Sequence, residues 1–371
     1  MRRAVIIVPT YNEVENIKIL VPKIFDVARR VVNWELHVVI VDSHSPDDTG
    51  KAVINLIKKY PRLHLLRTEK LGLGRAYIEG FLIAIKKLNP YLLFQMDADL
   101  SHNPEAITDF LKKIESGADF VIGSRYMKGG SIPADWGLHR KIFSFFGNLI
   151  VRFGFMKLTI TDWTSGFRAI KVWIINSVLK NVDNYSGYVF QVALLDNAVK
   201  INARVAEVPI NFRDRKIGMS KINALQYVFQ TLFYVFSHSS FIKYVIVGFI
   251  GFFIDFGISY FFIEKVKIAK NIFWMATVIS AETAIISNFF LNNFWSFSHK
   301  KISHGIASYF FSFFKFNLVS LGALIIQAVG IQMLTNFFGP AYWYIYKVLI
   351  IGFIIIPYSY ILYNKFIWKS K

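Results

Sequence analysis

Two aspartates two residues apart, Asp97 and Asp99 in Phe94-Gln95-Met96-Asp97-Ala98-Asp99-Leu100-Ser101-His102, close an apolar run with a pair of carboxylates. In an extended backbone, residues i and i+2 point to one side, so the pair can converge on one hard cation. Mg²⁺ or Mn²⁺ takes few protein carboxylates and keeps its other positions for water and phosphate oxygens. Such chemistry suits a bound diphosphate. Asn103-Pro104-Glu105 also reads as a helix start with Pro in the first turn, so the same aspartates could instead cap a turn.

What must position them is visible in the flanking pattern. Ala4–Val8, Leu36–Val41, Leu63–Arg67, Leu92–Met96 and Phe120–Gly123 are short apolar runs, as expected of strands buried on both faces. Helical patterns separate them, through about Val31, over 50–60, after Gly72-Leu73-Gly74-Arg75, and over Pro104–Ser116. This alternation predicts a doubly wound, mostly parallel sheet whose ligands bind outside the carboxyl ends of the strands. Glu13, Asp42, Gly72, Asp97 and Asp99 all fall at that rim, which favours a nucleotide-diphosphate site. The chain has no G-x-G-x-x-G fingerprint and no G-K-[ST] loop.

Composition divides the chain. Of 371 residues, 54% are hydrophobic and 17% aromatic, with 37 phenylalanines. That is far from an ordinary soluble domain. Charge concentrates before about residue 220, and apolar runs dominate from Phe241 onward. Four stretches, about 241–263, 272–297, 306–334 and 342–367, reach the roughly 20 residues a bilayer span needs. Met1-Arg2-Arg3 precedes too short an apolar run for a signal peptide. Lys243, Lys300, Lys301, Lys365, Lys369 and Lys371 on one side, against Lys265, Lys267 and Lys270 on the other, favour cytoplasmic N- and C-termini. Asp255 and Glu282, inside the spans, are expected to hydrogen-bond between helices with Asn288, Asn292 and Asn293.

Two further helical stretches, Ile142–Met156 and Ile222–Phe236, read either as helices lying on the bilayer or as core helices packed on the sheet. The net charge of +19 fits anionic lipid, and no zinc spacing or helix-turn-helix signal supports nucleic acid. Zero cysteines exclude disulfides, thiolate catalysis and Cys-ligated zinc.

Several motifs carry a family resemblance. Pro9-Thr10-Tyr11-Asn12-Glu13, Asp42 with Ser45-Pro46-Asp47, Gly72-Leu73-Gly74, Asp97-Ala98-Asp99-Leu100-Ser101-His102 and Gly123-Ser124-Arg125-Tyr126 resemble the inverting family 2 glycosyltransferases with a GT-A (Rossmann-like) fold. The likeness is to their dolichyl-phosphate mannosyltransferase branch. It continues through Arg140-Lys141-Ile142, Ser165-Gly166-Phe167-Arg168, Gly187-Tyr188-Val189-Phe190-Gln191 and Gly218-Met219-Ser220-Lys221. The segment around Asn288–Trp295 is similar to the GtrA-like four-helix membrane domain fused to archaeal enzymes of this kind. The expected organisation is a GT-A domain over 1–221, an interfacial helix and linker over 222–240, and a four-span all-α membrane domain over 241–371.

The resemblance implies transfer of mannose from GDP-mannose to dolichyl phosphate, with inversion, at the cytoplasmic face of the membrane. It implies no nucleic acid and no obligatory protein partner. It places Mg²⁺ or Mn²⁺ on Asp97 and Asp99, and on Ser101 more weakly or through water, where some relatives carry Gln. Pro9, Tyr11, Glu13, Asp42 and Gly72 would border the nucleotide; after Asp42, Ser43-His44 replaces the second acidic residue many relatives have. Arg125, Arg140 and Ser144 would bind the acceptor phosphate, and Arg215 and Lys221 would sit on a loop closing over the donor. Asp162 and Gln191 match without an assigned role, Asp162 either orienting a sugar hydroxyl or capping the turn before Ser165. UDP-glucose as donor, and a transporter with a regulatory N-terminal domain, are the alternatives.

Overall fold

A computed structural model describes residues 1–185, 187, 189–214, 224–266, 273–300, 302 and 305–368. The chain divides into two compact units, Met1–Val235 and Phe236–Lys371.

The first unit is built on seven strands: β1 (Arg2–Thr10), β2 (Trp34–Asp42), β3 (Leu63–Arg67), β4 (Leu92–Gln95), β5 (Phe120–Ser124), β6 (Arg168–Lys171) and β7 (Val205–Pro209). They lie in the order β3-β2-β1-β4-β6-β5-β7, with only β6 antiparallel to its neighbours. Crossover helices cover both faces: α1 (Val14–Arg30), α2 (Thr49–Ile57), α3 (Leu73–Leu88), α4 (Ile107–Glu115), α5 (Leu138–Phe155), α6 (Val172–Val182) and α7 (Val189–Lys200). The fold is the mostly parallel GT-A type expected. Ala4, Ile6, Val8, Val38, Ile40, Leu92 and Phe94 share one core with Ile17, Leu20, Val21 and Ile24 of α1, so strands buried on both faces account for the unbroken apolar runs.

Register fixes the rim. Thr10 pairs with Asp42, Asp42 with Arg67, and Ser124 with Pro209, so these residues stand level at the carboxyl edge. Because β6 runs the other way, its first residue, Arg168, reaches the same edge, opposite Gln95. Strand β4 stops at Gln95, one residue earlier than its apolar run, and Ala98–Leu100 form a bend, so Asp97 and Asp99 do not share one continuous strand. Leu100 has φ +65, a left-handed conformation unusual for a leucine and a mark of local strain.

Helix α5 begins at Leu138, four residues before its apolar run, and α8 spans Ala224–His238. Each buries one strip and bares the other. Asn148, Val151 and Phe155 of α5 and Tyr234 and Val235 of α8 are buried, whereas Phe143, Phe146, Phe153, Phe229 and Phe233 are exposed. Gly154 lets the helices touch, since a Cβ there would stand 2.3 Å from Val235 Cγ1. Core packing and an outward aromatic row are thus two faces of the same helices.

The second unit contains α9 (Ser240–Tyr260), α10 (Phe273–Leu291), α11 (Ile306–Phe338), α12 (Trp343–Ile350) and α13 (Ile356–Phe366). Short π-helical segments extend α9 and α10 and join α12 to α13. Among the described residues, Ser240–Lys265, Ile306–Phe338 and Ile345–Phe366 are long and apolar enough to cross a membrane. Helix α10 occupies the stretch where another span is expected. An aromatic cluster of Phe289, Phe297, Phe316, Tyr363 and Trp368 packs this unit, with Phe297 stacked on Trp368 at 4.5 Å.

Inside it, Ser280 donates to the Asp255 carboxylate at 2.5 Å and meets Ser259 at 2.7 Å. Trp368 Nε1 donates to Asn293 Oδ1 at 3.0 Å. Glu282 departs from expectation: it lies exposed on α10 and makes no hydrogen bond among the described residues.

Candidate active site

The loop after β4 is held from three sides. His102, buried and stacked on Phe167 with ring centres 4.9 Å apart, accepts the Asp97 backbone N–H through Nδ1 at 3.0 Å. That bond leaves the ring proton on Nε2, 3.8 Å from Asp97 Oδ2. Tyr77 donates its hydroxyl to Asp97 Oδ1 at 3.2 Å, and burial, then Asp97, push the phenol well above its usual range. Asp99 Oδ1 accepts the Ser101 N–H at 3.1 Å. Gly166 faces the aspartate, because a Cβ there would stand 3.5 Å from Asp97 Oδ2.

Among the described residues, no group of three or more His, Cys, Asp or Glu side chains could hold a metal ion. The donor set here is different: two carboxylates and Ser101 Oγ, a buried oxygen with no hydrogen-bond partner. An orphaned hydroxyl beside two aspartates fits a hard cation that takes a few protein oxygens.

At the β1–β2 side, side chains knit two turns together. Asp42 Oδ1 accepts from Thr10 Oγ1 at 3.1 Å and also from the Ser45 hydroxyl. Asn12, Glu13 and Val14 donate their backbone N–H groups to Ser45, Thr49 and Asp47 in turn, all within 3.1 Å. Burial works to raise Asp47, but hydrogen bonds from Thr49 and Val14 hold its carboxyl below the usual range. Glu13 Oε2 accepts from Asn16 at 2.6 Å. Lys70 sits over the Tyr11 ring, 3.6 Å from its centre, and Gly72 (φ +103) opens α3 in a backbone conformation that favours glycine. Pro9, paired with Val41, Tyr11, Glu13, Asp42 and Gly72 thus line the same edge.

Arg125 is differently placed from a free phosphate-binding cation. It is buried against Asp162, with Nε–Oδ2 2.7 Å and Nη2–Oδ1 2.8 Å, and Nη2 also donates to Thr164. Burial disfavours both charges, yet the pairing holds Asp162 at about 2 and raises Arg125 above its ordinary value. Arg125 Nη1 makes no hydrogen bond among the described residues. Asp162 also accepts from Thr164 N, Ser165 N and Asn148 of α5, so turn capping is one of its tasks and orienting Arg125 is the other.

Ser144 hydrogen-bonds the Tyr126 hydroxyl, and the Tyr126 ring lies 5.4 Å from the Arg125 guanidinium. Arg140, one helical turn before Ser144, stacks on Trp136 at 4.0 Å and pairs with Asp214 at 2.9 Å. Arg215 and Lys221 lie outside the described residues.

Three participants were not singled out from sequence. Arg168 is fully buried and donates to the carbonyls of Ser165, Gln191 and Trp163; burial lowers it to about 10. Phe212 packs edge-on against both His102 and Trp136 at 5.8 Å. His102 itself stood in the quoted motif, but nothing local announced its bond to Asp97.

Residues 5–198 match the model of glycosyl transferase family 2, and residues 243–368 match the GtrA/DPMS transmembrane domain. The chain is 32% identical to a dolichol-phosphate mannosyltransferase of Pyrococcus furiosus over 332 residues, 87% of this chain and 88% of that one. It is 36% identical to a polyprenol monophosphomannose synthase of Mycolicibacterium smegmatis over 60% of this chain and 82% of that protein. An undecaprenyl-phosphate mannosyltransferase of Micrococcus luteus is also 36% identical, over 60% of this chain and 88% of its own.

Proposed function

We propose that this chain, which belongs to glycosyltransferase family 2 and carries a GtrA/DPMS transmembrane domain, transfers mannose from GDP-mannose to a dolichyl-type polyprenyl phosphate. The products are dolichyl β-D-mannosyl phosphate and GDP, and the anomeric centre inverts. The observation that supports this reading is that the Asp97–Ser101 loop and the Arg140 platform are linked through one segment: Phe212 packs on both His102 and Trp136, and Arg213 N–H donates to the Ser101 carbonyl. We therefore assign Asp97, Asp99 and the orphaned Ser101 hydroxyl to the donor diphosphate, and Arg125, Arg140 and Ser144 to the acceptor phosphate. The mannosyl and polyprenyl-phosphate chemistry named for all three relatives agrees with it.

The reaction asks little proton transfer of the protein. A phosphate monoester has its second pKa near 6, so the acceptor arrives as a nucleophile and no general base is required. The remaining demands are to bring two anions together and to stabilise the diphosphate that leaves. Asp97, Asp99 and Ser101 would hold Mg²⁺ or Mn²⁺, which when bound would supply Lewis-acid neutralisation of that diphosphate. Tyr77 keeps the Asp97 carboxylate in place, His102 holds the Asp97 backbone N–H, and Asp99 is fixed by the Ser101 N–H. Arg125 Nη1 and the unused donors of Arg140 receive the acceptor phosphate, for which a permanently charged guanidinium is suited. Pro9, Tyr11, Glu13, Asp42 and Gly72 border the nucleotide, and the donor-binding assignment of Arg215 and Lys221 falls outside the described residues.

The membrane assists by concentrating a long-chain acceptor at this edge. The bare aromatic rows of α5 and α8 fit helices lying at headgroup depth. The GT-A part is assigned to residues 1–221, the linking helix to 222–240 and a four-span membrane part to 241–371, with both termini cytoplasmic.

Purified full-length protein in detergent, given labelled GDP-mannose or UDP-glucose with dolichyl phosphate, tests the reading. Mannosyl transfer that stops with chelator is expected, as is a folded but inactive Asp99→Ala variant. Transfer from UDP-glucose alone, or undiminished transfer in chelator, would overturn the donor or the metal assignment respectively.

A further inference from the structure

Arg140 already holds an anion supplied by its own chain. Its Nη1 pairs with Asp214 Oδ2 at 2.9 Å, while its guanidinium lies over Trp136, 4.0 Å from the ring centre. The two contacts differ in kind. Trp136 is buried and packs edge-on against Phe212, so it is a fixed platform for the cation. The Asp214 pair is open to water, with side-chain exposures of 43% and 33%, and exposed pairs of this kind are weak. On the platform itself, the buried Trp136 Nε1 has no acceptor among the described residues. Arg140 Nε and Nη2 likewise make no hydrogen bond there.

We propose that Asp214 is an internal stand-in for the acceptor's phosphate on Arg140, and that a phosphate monoester must displace this carboxylate to bind. The inference rests on the transferase reading for the identity of the acceptor, though not for the exchange of anions. A phosphate monoester brings up to two charges and three strong acceptor oxygens against the single charge of Asp214. It can engage Arg140 bidentately. Because Trp136 keeps the guanidinium in place when the carboxylate leaves, the exchange needs no rebuilding of the cation's position.

Asp214 is also tied to the donor side. The preceding residue, Arg213, donates its backbone N–H to the Ser101 carbonyl at 3.3 Å, and Phe212 rests on His102. The carboxylate that must move therefore sits on a segment anchored to the Asp97–Ser101 loop, which places acceptor arrival and the donor site on one short stretch of backbone.

The test compares wild type, Asp214→Asn, Arg140→Gln and the double variant as full-length protein in detergent. Binding of inorganic phosphate is followed by titration calorimetry, and the KM for dolichyl phosphate by sugar transfer. Asp214→Asn is expected to tighten phosphate binding and lower the acceptor KM by about threefold, the scale on which an exposed ion pair acts. Its kcat should stay within about twofold, and in the Arg140→Gln background the same change should do nothing. Phosphate binding unchanged or weakened by Asp214→Asn, or an equal gain without Arg140, would overturn the proposal. A wild type that binds phosphate as described but transfers no sugar would sink the transferase reading and leave the exchange standing.

Discussion

His102 Nδ1 accepts the backbone N–H of Asp97 at 3.0 Å, and Nε2 of the same ring lies 3.8 Å from the Asp97 carboxylate. One imidazole thus fixes the main chain of the first aspartate in the D-x-D pair and lies within reach of its carboxylate. Residues that orient metal ligands typically cost 10–100-fold when removed. His102→Ala is therefore expected to weaken Mn²⁺ binding, read by electron paramagnetic resonance, by at least about tenfold. His102→Asn should restore part of that loss, because its Oδ1 can occupy the position of Nδ1 and accept the same N–H. Equal loss in both variants would mean that ring packing on Phe167, not the hydrogen bond, is what matters.

The Arg125–Asp162 pair makes a second prediction about stability rather than turnover. Removing one partner of a buried pair costs about 3–5 kcal/mol because the other charge is stranded. Asp162→Ala should lower the thermal midpoint of the Met1–Val235 unit steeply. Asp162→Asn should fall between it and wild type, since an amide oxygen still accepts from the Ser165 and Thr164 N–H groups. A midpoint for Asp162→Ala within a degree or so of wild type would show the pair to be dispensable to the fold.

These two relationships also mark how far sequence alone reaches. The edges of β3 coincide with its apolar run, and Asp42, Gly72 and Asp97 stand at the strand ends where alternation put them, because local pattern and burial agree there. Strand β6 escaped notice: Arg168-Ala169-Ile170-Lys171 has charged residues at both ends, and only the three backbone carbonyls around Arg168 make its burial tolerable. The Arg125–Asp162 pair spans 37 residues, and no local spacing encodes a contact made by folding the sheet. Reading i and i+2 as sharing a face assumed extended backbone at Asp97–Asp99, which the left-handed Leu100 replaces with a bend.

Acid should weaken the Met1–Val235 unit over two pH ranges. His37 and His64 stack at 5.3 Å with a 3.0 Å ring-nitrogen contact, and burial lowers both below the ordinary histidine value. Above about pH 7.5 they are neutral folded or unfolded and exert no pH dependence. As pH falls below that value, the unfolded chain takes up protons that the folded pair resists, and stability declines. Asp119 and Asp162, both held at about 2, act later: their contribution is present above about pH 4 and is lost as pH falls toward 2. Urea unfolding of a His37→Asn/His64→Gln variant should therefore show a flatter slope between about pH 6.5 and 5 than wild type, with the acid branch below about pH 4 unchanged. An identical slope in the two proteins would remove the histidines from the account.

The membrane unit offers a contrast between two carboxylates. Asp255 receives the buried Ser280 hydroxyl, which also meets Ser259. Replacing Asp255 with Leu removes that hydrogen bond and sets an apolar side chain against the Ser259–Ser280 pair, at a net cost of about 1 kcal/mol. Glu282 has no such partner among the described residues and faces outward between Ile279 and Ile286, also exposed. An outward carboxyl midway along an apolar helix opposes insertion, whereas Leu at that depth favours it. Glu282→Leu should accordingly raise the thermal midpoint of the detergent-solubilised protein, and Asp255→Leu should lower it. Were Glu282→Leu to destabilise the protein as much as Asp255→Leu does, Glu282 would have to be meeting a partner outside the single chain, and its exposure would be that of an interface.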